Sequence, residues 1–241
     1  MLTEEQQKCE EYFNSTTRRV PDGRYVVRLP FREADPACKY GRSREIAENS
    51  LKSLERKLHK NKEMKKRYTD VIKEYLHLGH MIPVPENDDK QSESVYLPHH
   101  AVIREDKSTT KVRVVFDASC KGINGVSLND TLLIGPQLQP ELRHLIIQWR
   151  IHPICLVADI IKMYRQVRVH DDDTVFQRIL WRDNPEDSVQ EYQLLTVTFG
   201  TASAPYLAVK ALQQVALDEG DKYPEAAKKI LEDFYMDDLM K

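Results

Sequence analysis

The chain has 241 residues, of which 41% are hydrophobic and 31% charged, so it can form one large domain or two small ones with a substantial core. Its formal net charge of −2 argues mildly against a nucleic-acid binder and leaves the local distribution of charge to decide. No apolar stretch approaches ~20 residues and the N-terminus is polar, so we expect no membrane span and no signal peptide. The four widely spaced cysteines predict free thiols in a reducing, intracellular compartment.

The first 42 residues predict short elements joined by loops. Residues 3–13 have the spacing of a short amphipathic helix. Residues 24–30 predict a strand that Pro30 ends, and residues 31–42 contain the glycine and proline typical of a loop.

Residues 43–78 predict two helices packed as a hairpin. Ser43 is predicted to cap a helix through Lys60, and Asn61 to cap a second helix through Leu78, with Gly79 just after its end. Apolar residues at helical spacing form one face of each helix, namely Ile46, Leu51, Leu54 and Leu58, then Met64, Tyr68, Val71, Ile72, Tyr75 and Leu76.

The outer face of this helical hairpin is strongly basic. A run of charges is most often a solvated helix face, and the alternative is a salt-dependent contact with the phosphate backbone of a nucleic acid. The sequence leaves both interpretations open for Lys52, Arg56, Lys57, Lys60, Lys62, Lys65, Lys66 and Arg67.

After a linker at residues 83–95, the sequence predicts strands and then alternating helices and strands. Strands are expected at 95–98, 101–103 and 112–116, and the polar turn 105–110 joins the last two as a hairpin with basic side chains. Further on, we expect helices at 139–150, 203–217 and 224–232, and strands around Asp159 and at 174–181 and 191–198.

Three aspartates interrupt apolar sequence in the C-terminal half. Asp237 and Asp238 are adjacent, and two like charges side by side in an apolar run need a neutralising cation. Both reach one site only at a tight hairpin turn, because a strand points neighbours to opposite faces. Asp159 lies within the apolar run 156–161, which predicts a buried strand, although periodicity alone does not exclude a buried helix. Together they suggest a magnesium site, and the plainer alternative is a capping Asp159 and a solvated terminal turn.

Four sequence motifs, in order, resemble those of reverse transcriptases. The first is Arg113 to Ser119 with the segment 122–139, the second Asp159 with Tyr164 five residues on, the third Phe199-Gly200 with Ser203-Ala204-Pro205, and the last Tyr-Met-Asp-Asp at 235–238. The residues in these motifs are most similar to those of the polyprotein of BEL/Pao-type LTR retrotransposons, and the similarity extends upstream to residues 76–81.

This resemblance implies an α+β fold, with an antiparallel polymerase palm backed by helices and β-rich fingers. It implies a helical extension at 1–90, fingers at about 91–136 and 169–200, and palm at about 137–168 and 201–241. Thumb and RNase H domains would be absent, and the strand returning from the hairpin almost wholly missing.

The resemblance also implies RNA-directed DNA polymerase activity with two Mg2+, or Mn2+ as a substitute. The metal ligands would be Asp159, the Ile160 carbonyl, Asp237 and Asp238, with the three aspartates as catalytic residues. The partners would be an RNA or DNA template-primer, dNTP and the polyprotein's protease, RNase H and integrase, in the cytoplasm or a virus-like particle.

For the dNTP, the resemblance implies a set of contacts around these aspartates. Tyr164 would exclude a ribose 2′-OH, Arg113 would grip the triphosphate, and Arg104 or Lys107 would supply a second cation. The remaining contacts would be apolar packing by Phe199, a sharp turn at Gly200, and backbone N–H groups of Lys162 and Met163.

Two other functions remain as alternatives. A catalytically silent remnant would bind nucleic acid or a protein without turnover. An RNA-directed RNA polymerase is disfavoured by Tyr164 and by Met236 in place of the glycine usual there.

Overall fold

The structure is a computed structural model of a mixed α+β protein, as the sequence predicts. It describes residues 2–34, 36, 42–85, 87–88, 90, 93–103 and 112–241. The helices are α1 Glu4–Thr16, α2 Ser43–Lys60, α3 Lys62–His77, α4 Leu128–Thr131, α5 Leu142–Ile151, α6 Met163–Gln166, α7 Ala204–Glu219 and α8 Pro224–Glu232, with a 3-10 helix at Asp171–Gln177. The strands are β1 Arg18–Arg19, β2 Tyr25–Val27, β3 Met81–Pro83, β4 His99–Ile103, β5 Val112–Phe116, β6 Val157–Asp159, β7 Arg168–Val169, β8 Arg178–Trp181, β9 Gln190–Leu194, β10 Phe234–Tyr235 and β11 Asp238–Met240.

The N-terminal segment pairs with a strand from the second half of the chain. Thr3 and Gln6 form a reciprocal capping box at the start of α1, which satisfies two backbone N–H groups of the first turn. Strand β2 lies between β1 and β7, and its parallel pairing with β7 aligns Val26 with Arg168. All three β2 side chains are buried.

The helical hairpin of α2 and α3 forms largely as predicted. Asn61 accepts a hydrogen bond from the N–H of Met64 at 3.0 Å, and Gly79 adopts the left-handed backbone with φ +65°. The predicted cap at Ser43 is wrong. The Ser43 hydroxyl instead accepts the N–H of Tyr96 at 3.0 Å, so this side chain ties α2 to a distant extended segment.

Two small β-sheets pack against this helical hairpin. Strands β4 and β5 pair antiparallel as predicted, with Ala101 opposite Val114, and their connecting turn lies outside the described residues. Strands β3, β9 and β8 form a second sheet. The predicted strand at 174–181 is correct only from Arg178, because residues 171–177 form the 3-10 helix, whose preceding His170 side chain accepts the Asp172 N–H.

One buried core connects the helical hairpin to these strands. Tyr68 of α3 packs against Trp181 of β8 with ring centroids 5.3 Å apart, and Tyr75 packs near Phe116 of β5 at 6.4 Å. Cys9, Cys120 and Cys155 are free thiols, and Cys38 lies outside the described residues. Within the described part of the chain, no helix is both long and apolar enough to cross a bilayer.

The C-terminal sheet has three strands in the order β10-β11-β6. The three residues of β11 are enough to pair with β10 on one side and β6 on the other, so the return strand is present despite its brevity. The expectation that β6 is buried is wrong. All three of its residues are exposed, because β6 is an edge strand and the helix beside this sheet, α5, buries only Leu145.

Candidate active site

A two-residue hairpin turn presents the paired aspartates. Tyr235 pairs with Asp238, so Met236 and Asp237 form the loop between β10 and β11. Met236 has φ +55°, and a positive φ at the first loop residue is the pattern of a type II′ turn, whose twist suits a hairpin. The apolar residues on both sides supply the strands, and the turn sets the direction of Asp237.

Asp159 lies beside this turn on the neighbouring strand. The register of β6 and β11 sets Asp159 opposite Asp238, and directly opposed residues of an antiparallel pair share one face. The Ile160 N–H donates to the Asp237 carbonyl at 2.8 Å, which fixes the turn against β6. The structure therefore brings the backbones of the three predicted aspartates together, with Asp238 rather than Asp237 opposite Asp159.

Two of these aspartates lack a neighbouring cation among the described residues. Neither Asp159 nor Asp237 forms an ion pair with a described side chain. Asp159 is exposed, and the other two carboxylates are half-buried. Hard, partly accessible oxygens of this kind suit a magnesium ion that keeps several waters, so the donor set fits the implied metal. The described side chains do not form a ready-made group of three metal ligands.

The Tyr164 side chain lies next to the aspartates. Lys162 precedes it in the left-handed region at φ 52°, which turns the chain from β6 into α6. The Tyr164 side chain is buried, and burial, together with the charge of Asp237, raises the pKa of its hydroxyl to about 12. Its ring lies 4.1 Å from that of Phe199 between centroids. Tyr164 thus packs on Phe199 and lies near Asp237.

The backbone groups predicted to bind phosphate are partly engaged elsewhere. The Met163 N–H donates to the Ile160 carbonyl at 3.2 Å, so it is not free for a phosphate in this conformation. The same carbonyl keeps a second lone pair for the metal role predicted for Ile160. The Lys162 ammonium bonds to Glu74 of α3, which draws its side chain towards the helical hairpin.

The turn at Phe199 and Gly200 is fixed by close packing. Gly200 has φ +107°, and a Cβ there would overlap the Phe116 carbonyl oxygen at the end of β5. The Asn129 amide donates to the Gly200 carbonyl at 2.9 Å and accepts the Ala202 N–H at 2.8 Å. Asn129 thus positions this turn, a role that the sequence did not predict, although the residue lies inside the segment 122–139 of the first motif.

The residue after Tyr164 is a buried arginine that the sequence did not predict. Arg165 is 1% exposed, and its Nη1 donates to the hydroxyls of Thr196 at 3.1 Å and Thr198 at 3.4 Å. Its guanidinium lies 4.7 Å from the Tyr75 ring centroid and 5.3 Å from that of Phe116. Burial lowers its pKa from the usual value. The charged residue type gave no hint of burial, because arginine is mostly exposed.

The predicted triphosphate contacts are only partly described. Arg113 is exposed on β5 opposite Val102 and forms no ion pair with a described residue. The alternation that buries Val112, Val114 and Phe116 points Arg113 to the other face. Arg104 and Lys107 lie outside the described residues.

No protein-family model and no curated protein matches the sequence.

Proposed function

We propose that this chain is the fingers and palm of a reverse transcriptase, an RNA-directed DNA polymerase that adds dNTPs to a primer 3′-OH. The observation that carries the proposal is the register that pairs Asp159 with Asp238 beside a tight turn bearing Asp237. Supporting it, Tyr164 and Phe199 pack together next to Asp237, so motifs 35 or more residues apart along the chain converge on one place.

In this proposal the aspartates hold the divalent cations. Bound Mg2+, with Mn2+ as a substitute, would activate the primer hydroxyl and stabilise charge on the departing pyrophosphate. Asp159 and Asp237 would be the principal ligands, and Asp238 and the Ile160 carbonyl would complete the set. The protein's own contribution is to keep these oxygens together, since catalysis in phosphoryl transfer is mostly positioning and neutralisation.

The remaining site residues recognise the nucleotide. Tyr164 would stand where a ribose 2′-OH would lie and exclude it, and its packing on Phe199 keeps the ring in place. Arg113 would pair with the triphosphate, helped by Arg104 or Lys107, because a guanidinium matches phosphate with two parallel hydrogen bonds. Arg113 is exposed and forms no ion pair with a described side chain, which leaves it available for this contact.

The assignment of regions and partners belongs to the same proposal. The β4–β5 hairpin would belong to the fingers and the β10-β11-β6 sheet to the palm, with the helical extension at 1–90. The partners would be an RNA or DNA template-primer and dNTP, within a retrotransposon polyprotein that carries protease, RNase H and integrase and acts in the cytoplasm.

A primer-extension assay on poly(rA)/oligo(dT) with Mg2+ tests this function. We expect the wild-type chain to extend the primer and Asp159→Asn to lose at least about a thousandfold, roughly 4 kcal/mol of transition-state stabilisation. The control is Asp221→Asn, a matched change at an exposed aspartate in the turn between α7 and α8. Full extension by Asp159→Asn would contradict the assignment of the site.

One observation favours the second candidate, a catalytically silent binding module. The sheet that carries the aspartates is covered poorly, with Val157 62% and Leu156 59% exposed. A weakly supported strand holds carboxylates less rigidly, and rigid positioning is what this chemistry needs. A wild-type chain that binds template-primer and never extends it would establish this second function in place of the first.

A further inference from the structure

The tip of the α2–α3 hairpin concentrates positive charge in an otherwise acidic chain. We call the eight basic residues there the basic tip, namely Lys52, Arg56, Lys57, Lys60, Lys62, Lys65, Lys66 and Arg67. Residues 52–67 contain these eight and two glutamates, a net charge of +6 within a chain whose formal net charge is −2. The modest total charge therefore conceals a strongly basic surface.

Neighbouring acids neutralise little of this charge. Glu55 points away from the tip and pairs with Arg182, with contacts of 2.6 and 3.0 Å. Glu63 pairs with Arg67 along α3. Of the other members of the basic tip, none forms an ion pair with a described residue, and Lys52, Arg56, Lys57, Lys60, Lys62 and Lys66 are exposed.

The spacing of these cations opposes helix stability. Lys52 and Arg56, Arg56 and Lys60, and Lys62 and Lys66 are like-charged pairs four residues apart, which repel on a helix surface. Lys62 and Lys65 also lie near the start of α3, where the helix dipole is positive and favours anions. Lys57 and Lys60 lie in the last turn of α2, where the dipole favours cations, so the unfavourable placement concerns the like-charged pairs and the start of α3. A pattern that breaks local rules in this way is expected where a surface has a function.

The chemistry of the surroundings favours a nucleic-acid backbone as the ligand. Membrane binding by a basic helix needs an apolar face to insert, and here the apolar residues Leu51, Leu54, Leu58 and Tyr68 are buried in the core. Cations repeated every four residues on a helix recur about every 6 Å, a regular row that suits repeated phosphates.

We propose that the basic tip binds the phosphodiester backbone of a nucleic acid, without regard to base sequence, at a surface separate from the aspartate cluster. Glu74, which contacts Lys162 of the candidate active site, lies twelve residues beyond Lys62, or about 18 Å along α3. The tip is therefore a second contact that holds nucleic acid outside the site. The proposal does not rest on polymerase activity, because it concerns binding alone.

A binding titration across salt concentrations tests it. The variant carries Lys57→Gln, Lys60→Gln, Lys62→Gln and Lys66→Gln, and the probe is a labelled short DNA duplex followed by fluorescence anisotropy without Mg2+ or dNTP. We expect weaker binding and a shallower plot of log affinity against log salt, by about 0.9 for each phosphate that the variant no longer neutralises. The variant should melt close to wild type, since the repulsion removed at the start of α3 offsets the favourable dipole interactions lost in the last turn of α2.

The matched control carries Arg143→Gln, Arg150→Gln, Lys222→Gln and Lys228→Gln, four exposed cations elsewhere on the chain. We expect it to keep the wild-type salt slope. An equal loss in both variants would show a net-charge effect and overturn the proposal, as would an unchanged slope in the tip variant. Binding of wild type to phosphatidylserine vesicles and not to DNA would overturn it in favour of a lipid surface.

The outcome is distinguishable from a failure of the proposed polymerase function. The titration contains neither Mg2+ nor dNTP, so the tip-dependent salt slope is measured without any primer extension. A chain that never extends a primer and still shows the tip-dependent slope supports this inference alone.

Discussion

At the scale of single residues, Tyr164 gives the most specific test of the candidate site. It is buried against Phe199, and Asp237 is close enough to help raise the pKa of its hydroxyl to about 12, so it stays protonated and neutral at physiological pH. In the proposed function, an uncharged ring held beside the aspartates would act by its shape. The resemblance implies this role, since it includes an aromatic residue five positions after Asp159.

The first prediction concerns sugar selection. In a chain that extends primers, Tyr164→Ala should raise ribonucleotide incorporation relative to deoxynucleotide by about tenfold or more, a change of ~1.4 kcal/mol, because the wall against the 2′-OH is removed. Competition between rNTP and dNTP in primer extension measures it.

Tyr164→Phe is the matched control for this change, since it keeps the ring and its packing on Phe199 while losing the hydroxyl. It should retain wild-type selection. If Tyr164→Ala extends primers with undiminished preference for deoxynucleotides, the ring does not act as the wall.

At the scale of elements, local signals predicted the helices, and contacts between distant segments decided the rest. Asn61 and Gly79 mark helix ends through hydrogen bonds and backbone geometry within a few residues, so their sequence is informative. The parallel pairing of β2 with β7 and the bond from Tyr96 to Ser43 join residues 53 or more positions apart, and no short pattern encodes them. The buried Arg165 is a further case, because three separate segments form its pocket.

His99 shows how these distant contacts make the packing sensitive to acid. Its Nε2 lies 2.8 Å from the Leu180 carbonyl of β8, and its Nδ1 bonds the Tyr68 hydroxyl of α3. The neutral ring can donate to the first and accept from the second, so it joins three elements. Complete burial lowers its pKa from 6.5 to about 4, with a smaller contribution from His100.

The second prediction follows from that lowered pKa. Between pH 6.5 and 4 the unfolded chain binds a proton at His99 that the folded chain does not, so stability falls as the pH falls through this window. From pH 7 to pH 5 we expect a loss of about 2 kcal/mol from this histidine, measured by urea unfolding.

The variant His99→Gln should be less stable than wild type at pH 7 and lose less stability on acidification, because its side chain does not titrate. His100→Gln, at an exposed neighbour, should keep the wild-type pH dependence. An unaltered pH dependence in His99→Gln would contradict the role assigned to this buried ring.

At the scale of the whole molecule, the candidate site depends on three segments that meet at one sheet edge and one turn. The sequence predicted that Asp159, Asp237 and Asp238 lie near one another, because carboxylates are uncommon in apolar runs, and the pairing of β6 with β11 brings their backbones together. It could not predict that Asp238 would lie opposite Asp159, since register depends on the partner strand. It also predicted β6 as buried, because an apolar run does not reveal whether another element covers it.

The convergence of these carboxylates is tested most directly by calorimetric titration of Mg2+ and Mn2+ into the free protein. We expect saturable binding by wild type and Asp221→Asn, with a loss of at least about tenfold in affinity in Asp159→Asn and in Asp237→Asn, or ~1.4 kcal/mol each. Binding that is indistinguishable among all four proteins would contradict a shared cation site built from these aspartates.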